Sequence, residues 1–123
     1  MTGEGTRQPL VAVLYSVPLL DEAISSSLDE IAEVRGFPAH RGDPVGLLRA
    51  LTPAAVVVDD PVEAEAVCGW AEEGDVPLVH VRLRERKIRL LRHGEWEESI
   101  GASADAIRNV IAGSLYTRDT VRP

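Results

Sequence analysis

At 123 residues the chain has the length of one domain, and 45% hydrophobic residues exclude a disordered composition and suffice for a buried core. A net charge of −7 argues against non-specific nucleic-acid binding by the chain as a whole. No run approaches the roughly 20 apolar residues of a membrane span, and a single cysteine, Cys68, excludes an internal disulfide and suits a cytosolic protein with a reduced thiol.

Residues 1–9 lack an apolar stretch after their charges and read as a short mobile tail, not a secretion signal. Residues 10–15, "LVAVLY", form a continuous apolar run, as in a strand covered on both faces. Pro18 then opens a helix whose Leu20, Ile24, Leu28 and Ile31 make one stripe running through Ser25-Ser26-Ser27. Residues 33–39 read as a short edge strand, because Pro38 cannot donate to a central ladder. Asp43-Pro44 starts the next helix with an aspartate cap followed by proline at the first helical position, and it should end near Leu51. Residues 54–58 are a second fully apolar strand. Asp60-Pro61 repeats the cap-plus-proline start, and the helix carrying Ala64, Val67, Cys68 and Ala71 should end near Gly74.

Strands alternating with helices imply a three-layer α/β domain with a mostly parallel sheet. From Pro77 the pattern changes. Val79, Val81 and Leu83 alternate with His80, Arg82 and Arg84, which predicts a half-exposed strand. A β-hairpin over residues 86–98 follows, turning at His93-Gly94. Ser103 should cap a last helix with Ile107, Val110, Ile111 and Leu115 on one stripe, and residues 117–123 should form a polar tail. The expected domain therefore spans residues 10–116.

Asp59 and Asp60 close the apolar strand 54–58. Asp60 precedes proline and is expected to cap a helix. Asp59 stands at the carboxyl edge of the sheet, where open α/β folds place ligands, with Tyr15 and Ser16 as its expected neighbours. Ser16, His40 and Asp59 lack the nucleophile-elbow sequence of a hydrolytic triad, and no glycine-rich phosphate loop follows Ser16. Cys68 and the three histidines, His40, His80 and His93, share no zinc-ligand spacing. No catalytic residue, metal or cofactor is therefore expected.

The order of elements and the segment "TPAAVVVDDP" resemble the third strand of bacterial response-regulator receiver domains, whose last aspartate accepts a phosphoryl group. The resemblance spans residues 10 to about 83 in architecture. It implies a flavodoxin-like fold and makes Asp59 the candidate phosphoacceptor. Receivers also carry an acidic pair ending the first strand, where this chain has Tyr15-Ser16, with Asp21-Glu22 further on. They end the fourth strand in Ser or Thr, where Val81-Arg82-Leu83 stand here. Their fifth strand ends in lysine, whereas Lys87, the only lysine, begins a strand. Phosphoryl transfer needs a metal and cations to neutralise the moving group, so the expectation is a receiver-like domain without that chemistry.

The second candidate region is basic. Arg82, Arg84, Arg86, Lys87, Arg89 and Arg92 face one acid, Glu85, over residues 82–92. A turn at His93-Gly94 sets Arg92 opposite Glu95, Leu91 opposite Trp96, Leu90 opposite Glu97 and Arg89 opposite Glu98. A turn at Glu85-Arg86 would set Leu83 opposite Ile88, Val81 opposite Leu90 and Arg82 opposite Arg89. One face, with Val79, Val81, Leu83, Ile88 and Leu90, should pack on the core. The other carries His80, Leu91 and Trp96 among Arg82, Arg84 and Arg89, a composition that suits a protein contact; the last helix could equally cover it, and charge alone can protect a sheet edge. The expected role is a non-catalytic interaction or regulatory module, with a protein partner that includes a second copy, and with neither nucleic acid nor membrane. The rival is a phosphoryl-accepting or small-ligand switch at Asp59, Tyr15 and Ser16.

Overall fold

The computed structural model describes residues 8–101 and 103–120. The elements are β1 (Leu10–Tyr15), α1 (Pro18–Ser27), β2 (Glu33–Pro38), α2 (Pro44–Leu51), β3 (Ala55–Val58), α3 (Pro61–Gly74), β4 (Leu78–Arg82), β5 (Lys87–Arg92), β6 (Glu95–Ile100) and α4 (Ala104–Thr120). They build one six-stranded sheet in the order β2-β1-β3-β4-β5-β6. The first four strands pair in parallel and the last two add antiparallel.

Helices cover both faces of the sheet, because β1, β3 and β4 are apolar on both sides. On one face Val11, Val13, Val57, Val79, Ile88 and Leu90 meet Leu20, Ile24 and Leu28 of the α1 segment and Ile107, Ile111 and Leu115 of α4. On the other, Ala12, Leu14, Val56, Val58, Leu78 and Leu91 meet Leu48 of α2 and Ala64, Val67 and Ala71 of α3, with Cys68 partly buried beside them. Each fully buried aliphatic side chain contributes about 1.5–3 kcal/mol. Asp60 caps α3 by accepting the Glu63 N–H at 2.9 Å, and the Ser103 hydroxyl caps α4 by accepting the Ala106 N–H at 3.1 Å. Asp43 occupies the cap position of α2, but its side chain makes no capping bond. The start of α2 is left to Pro44.

Several expectations need correction. β4 is not half-exposed: His80 is as buried as its apolar neighbours, because β3 and β5 flank it and helices lie over both faces. The β4–β5 register is two residues from the expected one, with Val81 opposite Ile88, Val79 opposite Leu90 and His80 opposite Arg89. A four-residue loop, Leu83–Arg86, replaces the two-residue turn. The Glu85 N–H donates to the Arg82 carbonyl at 3.2 Å, Arg86 takes a left-handed φ of 56°, and Arg82 Nε pairs with Glu85 Oε1 at 2.7 Å. An even shift keeps every side chain on its expected face, but it carries Leu83 into the loop, where it is exposed. The β5–β6 register is the expected one throughout.

At the termini, Gln8 and Pro9 are tied down, the latter accepting the Glu33 N–H at 2.8 Å. The rest of the expected N-terminal tail lies outside the described residues. α4 continues to Thr120, past the expected end at residue 116, since no proline interrupts it before Pro123; residues 121–123 lie outside the described residues.

Candidate functional site

The strand order reverses direction at β1, so the crevice between the carboxyl ends of β1 and β3 is the switch point where such sheets bind ligands. Asp59 and Ser16 stand on its two sides and are hydrogen-bonded across it. Asp59 Oδ1 accepts both the Ser16 N–H and the Ser16 hydroxyl at 2.8 Å, and Oδ2 accepts the Val17 N–H at 3.1 Å. Val17 is the N-cap of α1 and has no capping side chain of its own. Asp59 therefore satisfies, from β3, the backbone N–H groups of the two residues that lead into α1. Tyr15 is directed elsewhere, packing partly buried against the α1–α4 side of the core.

Asp60 takes partners other than those of this staple. His40, in a left-handed conformation with φ 63°, brings Nε2 to 3.2 Å from Asp60 Oδ2 and Nδ1 to 3.8 Å from Glu63 Oε1. Partial burial would raise the Asp60 carboxyl, but the Glu63 N–H and His40 outweigh it and hold the group below its ordinary value. Ser16, His40 and Asp59 form no triad, since Ser16 bonds Asp59 directly and His40 pairs with Asp60 and Glu63. Among the described residues no cluster of three or more His, Cys, Asp or Glu is arranged to hold a metal ion.

Beside the staple lies a cleft of about 460 Å³ between the ends of β1 and β3 and the β4–β5 loop, lined by Ser16, Asp59, Asp60, His80, Arg82 and Arg84 among others. The His80 ring makes no hydrogen bond among the described residues. Burial and the nearby Arg82 and Arg89 push its pKa down, against a smaller upward pull from Asp59 and Asp60, which keeps the ring neutral at pH 7. Sequence reasoning placed His80 on an exposed contact surface; the structure moves it into the wall of this cleft. The strict polar–apolar alternation of β4 gave no sign of that.

The hairpin presents the second surface. Leu91, expected to be exposed beside Trp96, is 1% exposed and packs with Leu78 and the α3 side of the core. The last helix does not cover Trp96, because α4 lies on the opposite face, over Ile88 and Leu90. Trp96 remains 37% exposed with the Arg89 guanidinium stacked 4.4 Å from its ring centre, a cation–π contact. Ile100, not singled out from the sequence, is 90% exposed on the same face. Lys87 Nζ lies 3.9 Å from Glu98 Oε1 between them. No family model, curated protein or solved structure matches this chain.

Proposed function

We propose that this chain is a receiver-like domain of flavodoxin-like build that works as a non-catalytic interaction or regulatory module, through protein contacts on the β5–β6 hairpin face. The parallel order β2-β1-β3-β4 is that of flavodoxin-like sheets, with the antiparallel hairpin where the fifth parallel strand would lie. One observation carries the reading: the Asp59 carboxylate already accepts three hydrogen bonds, all from the segment that leads into α1. Those bonds engage Asp59 in holding the entry to α1, and among the described residues no three His, Cys, Asp or Glu are grouped to hold the metal that phosphoryl transfer to an aspartate needs. The hairpin carries two exposed apolar groups on one face, Trp96 and Ile100, which flank a row of Arg89, Lys87 and Glu98.

Sedimentation velocity over a dilution series tests the reading. Trp96→Ala or Arg89→Glu should weaken self-association at least about tenfold, roughly 1.4 kcal/mol, while Asp59→Asn leaves it unchanged. Association indifferent to both hairpin variants, or a monomer at every concentration, counts against the hairpin face.

A second reading, a small-ligand switch, rests on the cleft and its unpartnered His80 ring. Its phosphoryl form requires an adduct on Asp59 after incubation with acetyl phosphate and Mg²⁺. Intact-mass spectrometry showing none removes that form.

A further inference from the structure

β6 closes the sheet and is bonded to β5 alone. The Gly101 N–H donates to the Arg86 carbonyl at 2.6 Å, which fixes the alternation along the strand. Glu95, Glu97 and Ser99 aim their backbone groups at β5, and Trp96, Glu98 and Ile100 aim theirs outward. The His93-Gly94 turn agrees, since positive φ at both residues marks a two-residue loop closed by a hydrogen-bonded Arg92–Glu95 pair. Among the described residues, three N–H and three C=O groups thus stand unpaired along one edge. The opposite edge of the sheet, β2, ends in Pro38. β6 contains no proline, and its register shows no bulge, so the usual backbone devices against edge pairing are missing.

We propose that a second copy of this chain pairs with β6 edge to edge and antiparallel, about a two-fold axis at Glu98. The inference rests on the hairpin reading above and names its partner. With the axis at Glu98, Trp96 lies opposite Ile100 of the second copy, Glu98 opposite Glu98, and Ile100 opposite Trp96. Every outward N–H and C=O of both strands then has a partner. Moving the axis to Glu97 sets Trp96 against Glu98 and Ile100 against the turn. Moving it to Ser99 leaves Trp96 beyond the ladder.

The side chains favour the same register. The two exposed apolar residues of the hairpin are equidistant from Glu98 and on one face, so each covers the other across the new seam. On the reverse face Glu97 meets Ser99 and Glu95 meets Gly101, and no acid meets an acid. Only Glu98 meets its own kind, an unfavourable pair by itself, and it arrives with Arg89 opposite it on β5 and Lys87 at 3.9 Å. The glutamates that would protect this edge against other strands are spaced to admit its own.

Amide hydrogen exchange on the full chain, read by NMR across a dilution series beside sedimentation, tests the pairing. The amides of Glu97 and Ser99 should be protected at every concentration. Those of Trp96, Glu98 and Ile100 should exchange freely when dilute and slow at least about tenfold as the dimer forms. Of the backbone groups, Glu98→Pro removes an outward N–H alone, which an edge strand tolerates, together with an exposed ion pair to Lys87 that contributes little; it should abolish the dimer with the far-UV circular dichroism and melting temperature of the dilute monomer nearly retained. A dimer in which those three amides exchange as fast as in the monomer overturns the β6 pairing and leaves the hairpin-face reading standing. A chain that never associates overturns both. Should Glu98→Pro fail to fold, exchange on the wild-type chain still decides.

Discussion

Replacing Asp59 with alanine removes a cross-link that joins β3 to the start of α1. Three hydrogen bonds to a charged acceptor are lost, from Ser16 N, Ser16 Oγ and Val17 N at 2.8, 2.8 and 3.1 Å. Bonds to charged groups contribute about 1.5–3 kcal/mol each, but these donors are open to water, which recovers part of each. The expected net loss is about 2 kcal/mol, a sizeable fraction of a domain's stability of about 5–15 kcal/mol. In urea unfolding followed by circular dichroism, the midpoint should fall by about 1 M at an unchanged slope of about 1–3 kcal/mol/M. Asp59→Asn should fall between, since it keeps one acceptor for Ser16 and turns an amide donor toward the Val17 N–H. An Asp59→Ala variant within about 0.5 kcal/mol of wild type, the range of an ordinary surface change, would refute the staple.

Leu91→Ala should cost about 2–4 kcal/mol in the same assay, since Leu91 is fully buried. Trp96→Ala should cost the dilute monomer less, because Trp96 is 37% exposed where Leu91 is 1% exposed. Asp21 lies on α1 with Oδ1 buried and unpaired, and a Cβ on Gly36 of β2 would overlap its carboxylate. Burial, then Glu22, raises the Asp21 carboxyl, so its charged form is disfavoured in the folded state. Asp21→Asn should therefore stabilise the protein at pH 7 by about 1 kcal/mol, a gain that shrinks as pH falls through the raised folded-state value. Gly36→Ala should become stabilising, by about 0.5–1 kcal/mol, only in an Asp21→Ala background. His80 has a folded-state pKa below its ordinary 6.5, so its neutral ring contributes stability above that value that is lost as pH drops toward the lowered one. Between pH 7 and 5 the wild type should lose more stability than His80→Gln, and parallel curves would contradict this assignment.

The fold was legible because its signals are local. Apolar runs marked the covered strands, Asp60-Pro61 and Ser103 marked caps that form as expected, and His93-Gly94 set the β5–β6 register residue by residue. The β4–β5 turn was not legible, because it depends on the Arg82–Glu85 ion pair and a left-handed Arg86 rather than on glycine or proline. His80 and Leu91 were misplaced for one reason. Alternation tells which residues share a face, but whether that face is covered depends on how far α3 reaches across the sheet. At Asp59 the sequence located the right residue at the right edge, and only the geometry supplied the Ser16 and Val17 donors that occupy it.

The proposed role places this domain's contacts on the hairpin and no chemistry at Asp59. Amide chemical shifts followed over a dilution series test it most directly. Concentration-dependent shifts should centre on Lys87, Arg89 and Trp96 through Ile100, with Ser16, Val17, Asp59 and His80 unmoved. Shifts centred on those four residues while the hairpin stays silent would contradict it.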